Sequence, residues 1–242
     1  MRSDAVHQVL ETEIADAGRR RDGRPVRVLD VGGGSGVWAV PLASAGCHVT
    51  VVDPSPDALA TLHRRAADAG VADRVTPLQG DTDALAALSP EGGADLVLGH
   101  GVLEYVDDVP AAAAALASAT APGGAVSVLV ANRYAAVLAW ALAGRVSEAL
   151  GVLRDPQGNL GGSDALQRRF DTEQLERVLA AAGLTVERVL GQGVLTDLVP
   201  GSVLDNNPRA AEAMTELEVT AAEQPPLRDI ATRLHAIARK PA

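Results

Sequence analysis

The stretch VLDVGGGSG, residues 28–36, constrains the fold more than any other part of this chain. A short apolar run reaches Asp30, and residues 32–36 then hold four glycines. Glycine admits positive φ and close backbone approach, both of which side chains obstruct. The pattern predicts a buried strand, a tight turn and a ligand drawn against the backbone of that turn. The chain from Ser35 through VWAVPLASAG reads as a helix closed by Gly46.

The alternation then repeats. HVTVVD reads as a second strand, and SPDALATLHRRAADAG as a helix with Ser55 as N-cap and Gly70 as its stop. RVTPLQGD and ADLVLGHG read as the third and fourth strands, with a short helix between them. A helix over about 110–120 ends in the turn APGG, and AVSVLVAN is the fifth strand. Regular strand–helix alternation predicts an α/β fold, a Rossmann-like parallel sheet with helices on both faces. Before it, residues 4–18 form an amphipathic helix, followed by the basic loop RRRDGRP. After Asn132 come a helix over about 133–150, the loop RDPQGNLGGSD, the helix DTEQLERVLAAAG, the strand LTVERVLGQG, a helix over 208–222 and the strand RLHAIARK. The expected organisation is one domain over 1–242. It has an N-terminal helix and basic loop (1–25), a cofactor-binding core (26–132), helical cap elements bearing the acceptor region (133–183), and C-terminal strands and helix (184–242).

Composition excludes several functions. The net charge is −10, which argues against a broadly basic, nucleic-acid-coating surface. A single cysteine, Cys47, rules out an internal disulfide and a multi-cysteine zinc site; it reads as a small core residue, and no metal is expected. Residues 1–22 are polar and charged, unlike a signal peptide. The longest apolar run, AAVLAWALAG, is shorter than the ~18 residues of a membrane span, so a cytoplasmic protein is expected.

The glycine spacing discriminates between ligands. A dinucleotide fingerprint reads G-x-G-x-x-G or G-x-G-x-x-A, whereas here Gly32, Gly34 and Gly36 make G-x-G-x-G and Val37 takes the last fingerprint position. With Asp30 two residues before it, this loop suits a ligand with a cationic end and no phosphate. Asp53 ends the second strand 21 residues after Gly32, where a carboxylate can accept from ribose hydroxyls or cap the helix after Pro54. Asp81, in QGDTDAL, can accept from the exocyclic amine of a base or cap the next helix.

VLDVGGGSG, VVDPS, QGDTDAL, ADLVLGHGVLEYVDD and APGGAVSVLVAN follow one another at intervals that resemble a class I S-adenosylmethionine-dependent methyltransferase. The resemblance covers residues 28–132. It implies S-adenosyl-L-methionine as cofactor and a seven-stranded, mostly parallel sheet with an antiparallel last strand, matched by RLHAIARK. A narrower resemblance runs the whole length, through HGVLEYV, AN, LAG and LEVTAAEQPPLRDIATRLHAIARKP. It is to bacterial methyltransferases that esterify 5-carboxymethoxyuridine at the wobble position of tRNA. It places an arginine that meets the methionine carboxylate at Arg2, and further cofactor contacts at Gly32, Gly33, Asp53, Asp81, Thr82 and His100, beside Asp30, Gly34, Gly36 and Pro54. That family's lysine run after the fifth strand is absent; RDPQGNLGGSDALQRRF holds only Arg154, Arg168 and Arg169.

The chemistry follows from the acceptor. A carboxylate, with a pKa near 4, needs no general base at pH 7; a hydroxyl or amine does. His100, ending the fourth strand, stands open as a base, a cofactor-lining group or a structural residue. Glu104, four residues on and on the same helical face, reads as a structural partner. Tyr105, Tyr134, Trp140 and Phe170 are candidates for the acceptor pocket or for the core. Arg133, Arg145, Arg168 and Arg169 come from the capping region and offer forks for an anionic acceptor. Arg19, Arg20, Arg21, Arg24 and Arg27 read as a solvated loop at the far end of the sheet. The expected acceptor is a tRNA or a small-molecule carboxylate. The alternatives are a natural-product or metabolite methyltransferase and a non-catalytic S-adenosylmethionine-binding protein. A short-chain reductase needs a Tyr-x-x-x-Lys pair and a P-loop needs its own lysine, but the sole lysine is Lys240.

Overall fold

The structure, a computed structural model, describes residues 5–162, 164–199, 201–205 and 207–242. Arg2 lies outside them. The first half alternates as α1 (Ala5–Arg20), β1 (Arg27–Val31), α2 (Ala39–Ser44), β2 (His48–Asp53), α3 (Pro56–Asp68), β3 (Val75–Gln79), α4 (Leu85–Leu88), β4 (Ala94–His100), α5 (Val109–Ala119) and β5 (Thr120–Ala131). The second half continues with α6 (Arg133–Leu142), α7 (Val146–Arg154), α8 (Thr172–Ala181), β6 (Thr185–Gln192), α9 (Gly201–Asp205), α10 (Pro208–Ala222) and β7 (Arg233–Arg239).

All seven strands join one sheet in the order β3-β2-β1-β4-β5-β7-β6. Neighbours from β3 to β5 pair in parallel, and β7 runs antiparallel to both β5 and β6. This is the Rossmann-like sheet with a reversed last strand expected from the sequence. Among the described residues, no helix is long and apolar enough to cross a membrane.

Side chains alternate across a strand, so the sheet buries two apolar layers. On one face Leu29, Val97, Val126, Val128 and Leu234 pack with Leu116 of α5 and Leu175 and Leu179 of α8. On the other, Val28, Val49, Val51, Leu96 and Leu98 meet Val6 and Leu10 of α1, Leu42 of α2 and Leu62 of α3. Each fully buried leucine contributes about 1.5–3 kcal/mol. Alanine, valine and leucine therefore supply most of the core. Phe170 is also buried in it, so the structure assigns this aromatic to packing rather than to an acceptor pocket.

Several boundaries differ from the sequence reading. The helix expected from Ser35 starts only at Ala39, because Gly34 and Gly36 take φ of +55° and +80°, outside the helical region. The helix expected over 133–150 breaks into α6 and α7 at Gly144, whose φ is +76°. APGG is not a turn outside the sheet but a bulge within β5: pairing with β4 jumps from Ala94↔Thr120 to Leu96↔Ala125. The short helix α9 was not anticipated.

Candidate active site

The C-terminal ends of β1, β2 and β4 gather the motifs at one edge of the sheet, where open α/β sheets bind ligands. Glycine is required in the first turn by what surrounds it. A Cβ on Gly33 would stand 2.5 Å from Asp30 Oδ2 and 2.8 Å from a Val51 methyl, and one on Gly36 would overlap Leu62. The loop therefore lies flat on the strand ends, with the Gly32 amide donating to Val52 O at 2.7 Å and the Gly36 amide to Gly33 O at 3.0 Å.

Asp53 fixes this loop. Its Oδ2 accepts from the Gly34 amide at 2.9 Å, and its Oδ1 accepts from the Ser55 amide at 2.9 Å. The helix-cap role and the loop-organising role are thus held by one carboxylate. Each of its oxygens keeps a further lone pair. Pro54 follows it into α3, where Ser55 accepts from the Ala58 amide at 3.2 Å as N-cap. Asp30, one residue from the end of β1, is buried, and its Oδ2 has no hydrogen-bond partner. Burial, and secondarily the charge of Asp53, pushes its carboxyl up to about 7. Asp81 is exposed and accepts from the Asp83 amide at 3.0 Å, capping the 3-10 turn that begins at Thr82.

His100 ends β4. Its Nε2 and the Nε2 of His235 lie 2.8 and 2.7 Å from the Ser127 hydroxyl, so one serine links two imidazoles. Trp38, in the glycine loop, meets His100 edge-on with ring centres 5.0 Å apart, and its ring centre lies 4.5 Å from that of His7, tilted by 40°. Burial, then the neighbouring His235, Arg233 and His7, hold the His100 pKa well below the imidazole range. His100 is neutral at pH 7 and a weak acceptor of protons.

Glu104 does not share a helical face with His100, since residues 101–104 form turns. Its buried carboxylate accepts from the Ala131 amide at 2.8 Å and ties the loop after β4 to the end of β5. Desolvation raises its pKa. Asn132 caps α6, accepting from the Tyr134 amide at 2.9 Å while donating to Ala231 O at 2.7 Å.

The four arginines read from the sequence do not converge. Arg133 donates to the carbonyls of Val152 and Leu153 at the end of α7 and pairs with Asp171 at 3.9 Å. Arg168 donates to Leu103 O at 3.1 Å and to Val106 O, clamping the loop after β4. Arg169 forms a two-pronged pair with Asp164 at 2.5 and 3.0 Å and donates to Gly158 O. Arg145, on the surface between α6 and α7, pairs with Glu148 and lies 3.8 Å over the Trp140 ring. Tyr105 and Tyr134 are exposed. The basic loop lies at the opposite edge of the sheet, as expected, though Arg21 and Arg27 are partly buried on Asp95 at 3.2 and 3.7 Å.

A residue the sequence reading passed over occupies the site edge instead. Because β7 runs backwards, its first residue, Arg233, stands at the C-terminal ends of the parallel strands, between Ala131 and Gln192. Only the tertiary pairing reveals this, since Arg233 is far from every cofactor motif in the chain.

A seven-stranded sheet in this order, with a glycine loop pinned by a strand-end carboxylate, is the Rossmann-like methyltransferase fold. The methyltransferase domain family matches residues 3–189, and the chain belongs to that family. It is 27% identical to the tRNA 5-carboxymethoxyuridine methyltransferase of Escherichia coli (strain K12), over all of this chain and 88% of that protein. It is 32% identical to the ubiquinone biosynthesis O-methyltransferase of Methylocella silvestris, over 66% of this chain and 58% of that one. The S-adenosylmethionine-dependent methyltransferase structure from Mesorhizobium loti superposes with a TM-score of 0.64 and 19% identity, covering 97% of both chains; that likeness concerns the fold.

The cofactor is S-adenosylmethionine, and the residues present fit it. A buried carboxylate oxygen without a partner, Asp30 Oδ2, adjoins a loop stripped of side chains, which suits a cationic ligand pressed against backbone. The free lone pairs of Asp53 suit a vicinal diol.

Proposed function

We propose that this methyltransferase esterifies a carboxylate, and that its acceptor is the wobble 5-carboxymethoxyuridine of tRNA, in the cytoplasm. The observation that carries the reading is the state of His100. A general base works best with a pKa near the working pH. The imidazole at the reacting edge is held well below that range and is bound to Ser127. Such a site suits a nucleophile that is already ionised. The likeness to the tRNA enzyme over the full chain supports the particular acceptor.

In this reading Gly32, Gly33, Gly34 and Gly36 present backbone to the cofactor, Asp30 faces its cationic end, and Asp53 with Pro54 holds the ribose. Asp81 and Thr82 border the base, and His100 lines the pocket beside Trp38. Arg2 is assigned to the methionine carboxylate by resemblance alone. The bound cofactor supplies a methyl group already made electrophilic by a sulfonium. The protein's task is alignment and exclusion of water. No proton changes hands when a carboxylate oxygen takes the methyl.

A second reading is a small-molecule carboxylate as acceptor. It is favoured by the net charge of −10, which opposes the approach of a phosphate backbone. Mass spectrometry of bulk tRNA nucleosides from a deletion strain separates the two. Loss of the methyl ester with accumulation of 5-carboxymethoxyuridine supports the tRNA reading, and an unchanged nucleoside profile rejects it.

A further inference from the structure

The arginines expected to meet an anionic acceptor are occupied elsewhere: three hold loops and helix ends, and Arg145 closes a surface hairpin. Arg233 differs from all four. It is exposed, and among the described residues no hydrogen bond or ion pair reaches its guanidinium. It borders a cavity of about 480 Å³ between β6, α10 and the start of β7, lined also by Gln192, Thr196, Thr215 and Thr232. That volume falls within the ~300–1,000 Å³ of small-ligand sites. Arg233 is the one cationic side chain among the described residues lining it. Two carboxylates also border the cavity, but both have donors: Glu218 accepts from the amides of Val194, Leu195 and Thr196, and Asp197 accepts from the Thr232 hydroxyl.

The register locates Arg233 relative to the reacting edge. His100 is level with Leu129, and Arg233 is level with Ala131, one strand further across and two residues further along. With ~4.8 Å between strands and ~3.3 Å per residue, the two Cα atoms stand about 12 Å apart. An arginine side chain and a carboxymethoxy group together fill a gap of that size. On β7, Arg233 shares its face with His235, whose imidazole is joined through Ser127 to His100. The charge of Arg233 is felt at both His100 and Glu104.

We propose that Arg233 is the residue that recognises the acceptor, pairing its guanidinium with the acceptor's carboxylate at the mouth of the cavity between β6, α10 and β7. This rests on the carboxylate-acceptor reading above. The guanidinium fork matches a carboxylate bidentately, and a lysine in its place retains charge without the fork. The residue acts on binding: it selects an anionic acceptor and leaves cofactor affinity alone.

The test compares wild type, Arg233→Gln and Arg233→Lys in the full-length protein. The probes are an anticodon stem-loop bearing 5-carboxymethoxyuridine, the free 5-carboxymethoxyuridine nucleoside, and a 5-methoxyuridine stem-loop that lacks the carboxylate. Calorimetry in the presence of S-adenosylhomocysteine reads binding, and initial rates read turnover. Arg233→Gln should weaken binding of the carboxylate probe and raise its KM by about 30-fold or more. Arg233→Lys should recover part of the loss, and both variants should bind S-adenosylhomocysteine as wild type does. The 5-methoxyuridine stem-loop should bind wild type and Arg233→Gln equally. Response to the stem-loop but not the nucleoside identifies tRNA as the source of the carboxylate, and the reverse identifies a small molecule. If wild type methylates a carboxylate probe and Arg233→Gln does so within threefold, Arg233 is not the recognising residue while the acceptor reading stands. If wild type neither binds nor methylates any carboxylate probe, the acceptor reading falls and the assignment of Arg233 falls with it.

Discussion

Asp30, one residue from the end of β1, and Asp53, ending the neighbouring parallel β2, are coupled, and the second works against the ionisation of the first: burial, then the charge of Asp53, lifts the Asp30 carboxyl to about 7. An acid whose folded pKa is raised binds its proton more tightly in the folded state. Its stabilising contribution is complete below about pH 4 and is lost as pH rises to 7. Relative to Asp30→Asn, the wild type should lose stability between pH 4 and 8 by a difference on the order of 2–4 kcal/mol. Chemical denaturation at the two pH values measures it, and parallel pH profiles for the two proteins would show that Asp30 ionises normally. The same substitution should weaken S-adenosylmethionine binding, since a cation beside Asp30 gains from its charge. Wild-type affinity for the cofactor should increase from pH 6 to 8.

The Asp53 carboxylate joins the Gly34 amide to the Ser55 amide. Asp53→Ala should weaken cofactor binding by about 1.5–3 kcal/mol, through lost charge-assisted hydrogen bonds and a slackened loop. Asp53→Asn, which keeps an acceptor for one amide, should fall between the two. Titration with S-adenosylhomocysteine provides the measure; equal affinities for all three proteins would leave Asp53 as a helix cap alone.

Positive-φ glycines and a G-x-G-x-G spacing leave no pyrophosphate fingerprint. S-adenosylmethionine and S-adenosylhomocysteine should therefore bind, and NAD should not. Micromolar NAD binding with no response to S-adenosylhomocysteine would overturn the assignment of the glycine loop.

With His100 held neutral over the working range, the rate of carboxylate methylation at saturating S-adenosylmethionine should stay nearly flat from pH 6 to 8. His100→Gln, which keeps a polar group next to Ser127, should cost little in rate. A rate rising tenfold per pH unit through pH 6–7 and collapsing in His100→Gln would instead identify a hydroxyl or amine acceptor deprotonated by His100.

The sequence by itself determined the layered sheet, the glycine loop and the strand-end carboxylates, because these depend on local spacing. Apolar runs of strand length, glycines at fixed offsets and Asp53 at the end of HVTVVD act within a few residues of one another. Even here the local rules failed where backbone sign mattered: Gly34 and Gly36 delay the helix to Ala39, and Gly144 splits the next long one. Tertiary structure alone decided which charges are free. Arg133, Arg168 and Arg169 look available in the sequence, yet each meets carbonyls or a carboxylate that folding brings to it. Arg233 reaches the site because β7 enters the sheet reversed between β5 and β6, a pairing between strands about a hundred residues apart in the case of β5. The same pairing joins His100, Ser127 and His235 into one buried network. Spacing along the chain carries no information about such contacts, since the free energy that selects them comes from burying both faces of the completed sheet.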